Sequence, residues 1–390
     1  MKRQFLPFNW FRESRSSADL FLTHGKRPTC PRPGFQPIRQ NKGNWNIMLK
    51  KLTTALLAGA IGLPAAGAFA ADDYSGHTLV VGVWGGDIER LLRENVAEPI
   101  EEETGASVEF VLGGTGDRMA RIYAEKDNPT MDVAFLNMYE APQALSDGIV
   151  LPPDPETDMY KAIWDGMNNG CYAMSLVGLG IAYNKNIVSE APEWEDMWDP
   201  EYNGMIAVAQ YPGSEGDGLI GVAARLAGAD EHDPDAAFEK LQGLKPIAMT
   251  YTNLDEIFAM MDAGEVAMAP MISGYVLSAL KEHPDIGFSF PSDPGPVLVR
   301  DMLCLVKDSP EPELAKMFAE KALGVANQTD YAEQIFFGPT NSMVELSEEA
   351  SADVIDTPEE VESLVQLDWP YVIGERSDWT QRWNKELLEQ

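Results

Sequence analysis

Strand-length apolar runs and helical apolar stripes alternate along most of this chain, and the first pair sets the pattern. Leu79-Val80-Val81-Gly82-Val83 is a continuous apolar run, as expected of a strand buried on both faces of a parallel sheet. Trp84 and the turn residues Gly85-Gly86 follow. Apolar residues then fall at 88, 91, 92, 96 and 100, which predicts a helix with Asp87 as N-cap and Gly105 as its C′ residue. Alternation over Ala106–Leu112 predicts a second strand, Gly113–Gly116 a turn, and Asp117 the cap of a helix over 118–129. Met131–Leu136 predicts a third strand, and residues 140–148 a further helix.

The remainder continues the alternation. Leu151–Asp165 is a Pro-rich acidic loop, and Cys171–Asn184 is a long extended segment. Asn186 opens a helical region, with Trp194 and Trp198 packing in a surface turn. Met205–Gln210 predicts a strand, residues 211–218 a break, and 219–228 a helix. Asp255–Gly264 predicts a helix, 266–272 a strand, Gly274 a break and 276–283 a helix. Val297–Val306 predicts a strand interrupted at Arg300-Asp301, and Glu313–Leu323 an amphipathic helix. The acidic end of the chain reads as helical. Strands alternating with helices predict an α/β fold with parallel sheets. A chain of this length exceeds one comfortable core, so two lobes are expected. Segment 171–184 and breaks near 273 and 327 are the candidate crossovers.

The candidate chemistry sits at strand ends. Right-handed βαβ connections bring the carboxyl ends of the first three strands to one edge, where α/β folds place ligands. Trp84 and Gly85 follow the first strand, Thr115 the second, and Asn137 and Tyr139 the third. A glycine turn opening a helix exposes N–H groups that suit an anion or a carbonyl. The same residues also fit plain βα loops, and Trp84 a core position.

Charge and targeting change the picture at the N-terminus. Met48-Leu49-Lys50-Lys51 precedes an apolar stretch ending in Ala68-Phe69-Ala70, the form of a secretory signal peptide cut before Ala71. Residues 1–47 carry nine Lys/Arg against two acidic residues and show no periodicity. They read as an upstream frame outside the true start at Met48, or as a disordered basic extension. The first 70 residues hold 11 of the 29 Lys/Arg and 2 of the 62 Asp/Glu, so residues 71–390 carry 18 basic and 60 acidic residues, net −42. That charge argues against nucleic acid and anionic membrane as partners. It fits either a surface suited to high salt or attraction of a cationic ligand. Cys171 and Cys304 either form one disulfide or are two buried thiols. His77, His232 and His283 have no metal-ligand spacing, and no P-loop, nucleophile elbow or H-E-x-x-H is present, so neither a metal, a cofactor nor catalysis is expected.

Taken in order, the signal peptide, VWGG at Val83–Gly86, PIEEETG, MDVAFLN with Tyr139, GLGIAYN, DPEYNG, DAGEVAMAP, RDMLCLVKDSPEPELAKMFAEKAL, FFGPTN and WTQRWNKELL resemble a periplasmic solute-binding protein of an ABC importer. The spermidine/putrescine-binding type is the subgroup most similar, over residues 77–390. The resemblance implies a two-lobed periplasmic-binding-protein fold (type II), each lobe a mainly parallel sheet flanked by helices, with the ligand cleft between them. Lobe one is expected to comprise 71–184 plus 273–326, and lobe two 185–272 plus 327–390. Trp84 matches the family's aromatic at the end of strand one, and Asn137 with Tyr139 its Ser/Tyr pair. Gln210-Tyr211, with Glu215 and Asp217 close by, stands where polyamine binders place second-lobe carboxylates. Ile272, followed by Ser273 and Tyr275, replaces a Trp at the second crossover.

Arg300 beside Asp301 departs from the polyamine pattern. A guanidinium in the cleft would repel a diammonium and favour a carboxylate; alternatively it pairs with Asp301 or another acid and meets no ligand. The implied ligand is a polyamine-like amine, or an amino-acid or opine-like zwitterion, with Trp84 and Tyr139 against its apolar or cationic part. Iron(III) binding on this fold usually needs paired tyrosines, and no Tyr-Tyr pair occurs. The implied partners are a small molecule and an inner-membrane permease, the protein acting as a monomer in the periplasm. A sensor delivering ligand to a receptor, or a secreted α/β enzyme, are the rival readings. Precursor made from the native gene is expected to start at Met48; N-terminal sequencing that yields peptides from residues 1–47 would contradict this.

Overall fold

The computed structural model describes residues 73–389. The expected signal peptide and the 1–47 extension lie outside the described residues. In chain order the strands are β1 (Thr78–Val83), β2 (Ser107–Leu112), β3 (Val133–Asn137), β4 (Tyr172–Asn184), β5 (Ala207–Ala209), β6 (Met249–Tyr251), β7 (Met268–Ile272), β8 (Ile286–Ser289), β9 (Val297–Leu305) and β10 (Gly338–Pro339). The first helices are α1 (Asp87–Leu92), α2 (Glu98–Thr104), α3 (Thr115–Ala124), α4 (Glu140–Ser146) and α5 (Asp158–Ala162). Then come α6 (Ser214–Leu226), α7 (Pro234–Gln242), α8 (Leu254–Asp262) and α9 (Ser273–Ala279). The last are α10 (Pro312–Ala322), α11 (Val325–Ile335), α12 (Glu348–Ser351), α13 (Pro358–Ser363) and α14 (Trp369–Arg382). No described helix is long and apolar enough to cross a membrane.

The fold is α/β, but its main sheet is mixed rather than mainly parallel as expected, in the order β10-β4-β9-β3-β1-β2. β1 pairs in parallel with both β2 and β3. β9 returns antiparallel between β3 and β4. β4 is the long member, about 40 Å at the usual rise per residue, and it serves both halves. Tyr172–Leu179 pair with β9, while Leu179–Asn184 pair with β7 and β8. β5 and β6 form a short parallel pair, joined to β7 through the Ile206–Met268 bridge. All of β4 except Tyr183 is buried, which explains its unbroken apolar sequence.

Packing on both faces follows from the sequence stripes. Phe318 of α10 meets Phe135 of β3 edge-on at 6.4 Å, and Phe110 of β2 at 6.2 Å. Tyr331 of α11 donates its hydroxyl to the Ile88 carbonyl, fixing α11 on α1. In the other half Trp383, fully buried after α14, stacks on Tyr211 at 5.2 Å. Trp194 is buried and donates to Gly295 O, while Trp198 donates to Lys240 O.

Several local expectations are corrected. Gly86, not Asp87, caps α1, because its φ of 74° needs a residue without a Cβ; the Asp87 carboxylate instead accepts from Arg90 Nε at 2.9 Å. Gly114 caps α3, and Asp117 lies within its first turn. Asn186 lies in a turn rather than opening a helix. α6 begins at Ser214, inside the expected break, and Gly274 lies within α9 rather than before it. Tight packing explains these glycines in helices: a Cβ on Gly218 would stand 2.3 Å from Leu179, and one on Gly274 2.4 Å from Phe337. β9 runs through Arg300-Asp301 without interruption, since period-2 alternation sends the two charges to opposite faces.

Cys171 and Cys304 are disulfide-bonded across 133 residues, with Cα atoms 4.9 Å apart, which settles the choice left open by the sequence. Closing so long a loop restricts the unfolded chain strongly. The double variant Cys171→Ala, Cys304→Ala is expected to lose about 2–5 kcal/mol of unfolding free energy, read by urea denaturation. Unchanged stability would mean that the bridge constrains nothing.

Candidate functional site

The ends of β1, β2 and β3 lie side by side, and one arginine ties them together. Arg118, on the first turn of α3, is buried. It donates through Nε to Phe135 O at 2.8 Å and through Nη1 to Gly113 O at 2.6 Å, and Nη2 lies 3.4 Å from Thr115 Oγ1. Its guanidinium lies over the Trp84 ring, 4.6 Å from the centroid, a cation–π contact. The arm reaches this position because Gly82 lacks a side chain: a Cβ there would stand 2.7 Å from Arg118 Cδ. Burial pushes the Arg118 pKa down to about 10, with the Asp301, Glu140 and Asp117 carboxylates opposing the shift. It has no ion pair among the described residues.

Trp84 is half-buried, with Phe135 edge-on at 6.4 Å, and so is neither free surface nor sealed core. Gly85 is exposed beside it. Asn137 donates to the Tyr139 hydroxyl at 3.0 Å and to Thr115 Oγ1 at 3.3 Å. Asn137 also pairs across the sheet with Asp301. The half-buried Asp301 carboxylate accepts from Ser175 Oγ at 3.1 Å and has no ion pair among the described residues. Burial pushes its pKa up to about 6, with Ser175 and Arg118 acting in the opposite direction.

Tyr139 joins this edge to the second half of the chain. Its hydroxyl is 3.2 Å from Ser214 Oγ at the start of α6. Its ring lies 5.0 Å from that of Trp369 and 4.1 Å from the Arg376 guanidinium. Arg376 is committed to Asp217, which is fully buried: Nε donates to Oδ2 at 3.1 Å, and a second nitrogen shares the same oxygen. Tyr211 completes the cluster by donating to Asp217 Oδ1 at 2.8 Å. Asp217 is therefore a structural carboxylate with all its bonds internal.

A cavity of about 560 Å³ opens where β5, β6 and the start of α6 meet. Gln210, Tyr211, Glu215, Tyr251 and Tyr275 line it. Glu215 has no hydrogen bond or ion pair to a cation among the described residues, and burial raises its pKa. Both Glu215 and Asp301 act on the Tyr275 hydroxyl, whose pKa burial also raises. Glu215 lines this cavity, and Asp301 lies at the strand ends opposite Asn137. Tyr139, Tyr211 and Tyr251 spend their hydroxyls on Ser214, Asp217 and Pro270 O. Among the described residues no group of three or more His, Cys, Asp or Glu could hold a metal ion.

Of the residues singled out from sequence, Trp84, Thr115, Asn137, Tyr139 and Asp301 come together on one side, and Gln210, Tyr211 and Tyr275 on the other. Ser273 is buried at the crossover, where its hydroxyl accepts from Gly178 N at 3.4 Å. Arg300 does not join them. It points to the opposite face of β9, where Nη1 donates to Met167 O at 2.7 Å and Gly166 O at 3.3 Å, and it pairs with neither Asp301 nor any other acid among the described residues. Sequence reasoning missed Arg118, Ser175, Ser214, Tyr251, Trp369 and Arg376. The available signal was scarcity: in so acidic a chain, each Arg within an apolar stripe deserves a partner. Arg376→Gln leaves the Asp217 charge buried and unpaired, and is expected to cost about 3–5 kcal/mol by urea denaturation; wild-type stability would show the pair to be dispensable.

The sequence profile described as bacterial extracellular solute-binding protein matches residues 95–358. The chain is 24% identical over 337 residues to the gamma-aminobutyric acid-binding protein of Pseudomonas aeruginosa, covering 81% of this chain and 92% of that one. It is 25% identical over 291 residues to a putative 2-aminoethylphosphonate-binding periplasmic protein of Salmonella typhimurium, covering 72% and 83%. The crystal structure of an ABC transporter protein from Clostridium perfringens superposes with TM-score 0.67 at 27% identity, over 79% of this chain and 99% of that one. With a profile match over most of its length, this chain belongs to the bacterial extracellular solute-binding proteins.

Proposed function

We propose that this protein captures a small zwitterion, with an ammonium group at one end and an acidic group at the other, and delivers it to an ABC permease in the inner membrane. The observation that carries the reading is a pair of carboxylates with no ion pair among the described residues, Asp301 at the strand ends and Glu215 on the wall of the cavity. Carboxylates withdrawn from water without a counter-ion are costly, and an ammonium relieves both. Arg118, whose bonds go only to carbonyls and a hydroxyl, supplies positive charge for the acidic group. Trp84, Asn137 and Tyr139 shape the wall between. The names of the two relatives, binders of gamma-aminobutyric acid and of 2-aminoethylphosphonate, describe ligands of this kind. The position of Arg300 removes the main objection to an amine, while Arg118 favours a zwitterion over a diammonium. Iron(III) is disfavoured, because the cleft tyrosines are hydrogen-bonded and their pKa values raised.

The protein acts by binding rather than turnover, as a monomer in the periplasm. Its moving bodies are the two lobes read from sequence, 71–184 plus 273–326 and 185–272 plus 327–390, with two adjustments. α11 travels with the first lobe, because Tyr331 anchors it on α1. β8, together with the far end of β4 with which it pairs, travels with the second. The Tyr139–Ser214 contact links the lobes, and the permease reads the closed arrangement.

Calorimetric titration with 4-aminobutyrate, 2-aminoethylphosphonate, putrescine and spermidine tests the reading. A zwitterion is expected to bind at micromolar level, about −8 kcal/mol, and Asp301→Asn to weaken it at least tenfold. Since Asp301 titrates near 6, its carboxylate is protonated as pH falls through that value. Affinity is expected to drop about tenfold between pH 7 and pH 5. Binding of putrescine with no zwitterion bound, or affinity unchanged in Asp301→Asn, would overturn the proposal.

A further inference from the structure

The face of β9 opposite the cleft carries a second cavity, of about 600 Å³. It shares no lining residue with the cleft cavity. Its walls come from the segment after α5, from Ser342, and from α13 with the residues behind it; Lys161, Trp164 and Arg300 line it. Arg300 is 7% exposed, yet no carboxylate bonds it. One nitrogen, Nη1, is spent on Met167 O and Gly166 O. Nε is buried without a partner, and Nη2 makes no hydrogen bond among the described residues. The unused edge, Nε with Nη2, is the side of a guanidinium that receives a carboxylate through two parallel bonds.

The electrostatics point the same way. Burial lowers the Arg300 pKa to about 10, and no neighbouring charge offsets it. Asp165 and Glu362 line the same cavity, but both are exposed at its rim and neither pairs with Arg300 among the described residues. A buried charge with neither counter-ion nor full hydrogen bonding is among the costliest features a fold can keep. In a chain with 62 acidic residues, an arginine left without one is conspicuous. Lys161 at the mouth is already engaged, donating to Glu156 O at 2.7 Å and lying 3.9 Å from the Glu156 carboxylate, so Arg300 is the cation without an acid.

We propose that this cavity is a second binding site, for a small carboxylate held side-on by the Nε–Nη2 edge of Arg300. The site is separate from the zwitterion cleft and does not depend on it. Its wall at Pro358–Gln366 runs directly into Trp369 of α14, which touches Tyr139. An occupant therefore braces the segment that leads to the cleft.

The probe is acetate, titrated into the full chain labelled with 5-fluorotryptophan, with chloride at equal ionic strength as the control. The Trp164 resonance, assigned through Trp164→Phe, is expected to shift saturably with acetate and not with chloride. Arg300→Lys keeps the charge but lacks the bidentate edge, and is expected to weaken acetate binding about tenfold, the value of one charge-assisted bond. Equal responses to acetate and chloride, or no shift at Trp164 in the wild type, would overturn the proposal without recourse to any variant. Wild-type acetate affinity in Arg300→Lys would overturn it as well.

Discussion

β9 lies between β3 and β4 with hydrogen bonds on both sides, and the placement of Asp301 and Arg300 on opposite faces follows from its register. Asn137 opposes Asp301, and Leu176 opposes Arg300. A slip by one residue would put the guanidinium in the cleft and the carboxylate behind the sheet. The Cys171–Cys304 bridge joins β9 to the residue before β4, the partner strand on which that register depends. The same alternation sends Asp301 toward Ser175 and Arg300 toward the Met167 carbonyl.

The cleft separates charges that are spent from charges that are available. Arg376, Asp217 and Tyr211 are bonded to one another, with the Glu140 carboxylate also 3.9 Å from Arg376, holding α14 to α6 and presenting the guanidinium to the Tyr139 ring. Those groups fix geometry. Asp301 and Arg118 have bonds that position them without neutralising them, and Glu215 has no side-chain bond among the described residues. Groups of this second kind gain most when a ligand of opposite charge replaces water. The net charge of the chain adds a long-range pull on cations that salt would screen.

The strand ends were legible from sequence because buried parallel strands are short apolar runs and the turns after them are rich in glycine. Trp84, Asn137, Tyr139 and Asp301 could therefore be located without coordinates. Arg300 was located as well, but its direction was not, since two adjacent charges look like a break until the strand is seen to pass through them. Arg118 was hidden for another reason: its reach depends on Gly82 in β1, distant in sequence, and only packing reveals that gap. Arg376 lay in an acidic helical tail whose destination no local pattern could give. The small-residue starts of α6 and α9 were read as breaks because glycine propensity opposes helix, whereas close approach of Leu179 and Phe337 decides the outcome.

The central claim is that paired, unneutralised carboxylates select an ammonium-bearing zwitterion, and a crystal structure of the protein with 4-aminobutyrate tests it most directly. The account predicts the amine nitrogen within about 3 Å of the Asp301 or Glu215 carboxylate, and the acid group toward Arg118. A ligand bound in the reverse orientation, or lying away from both carboxylates, would contradict it.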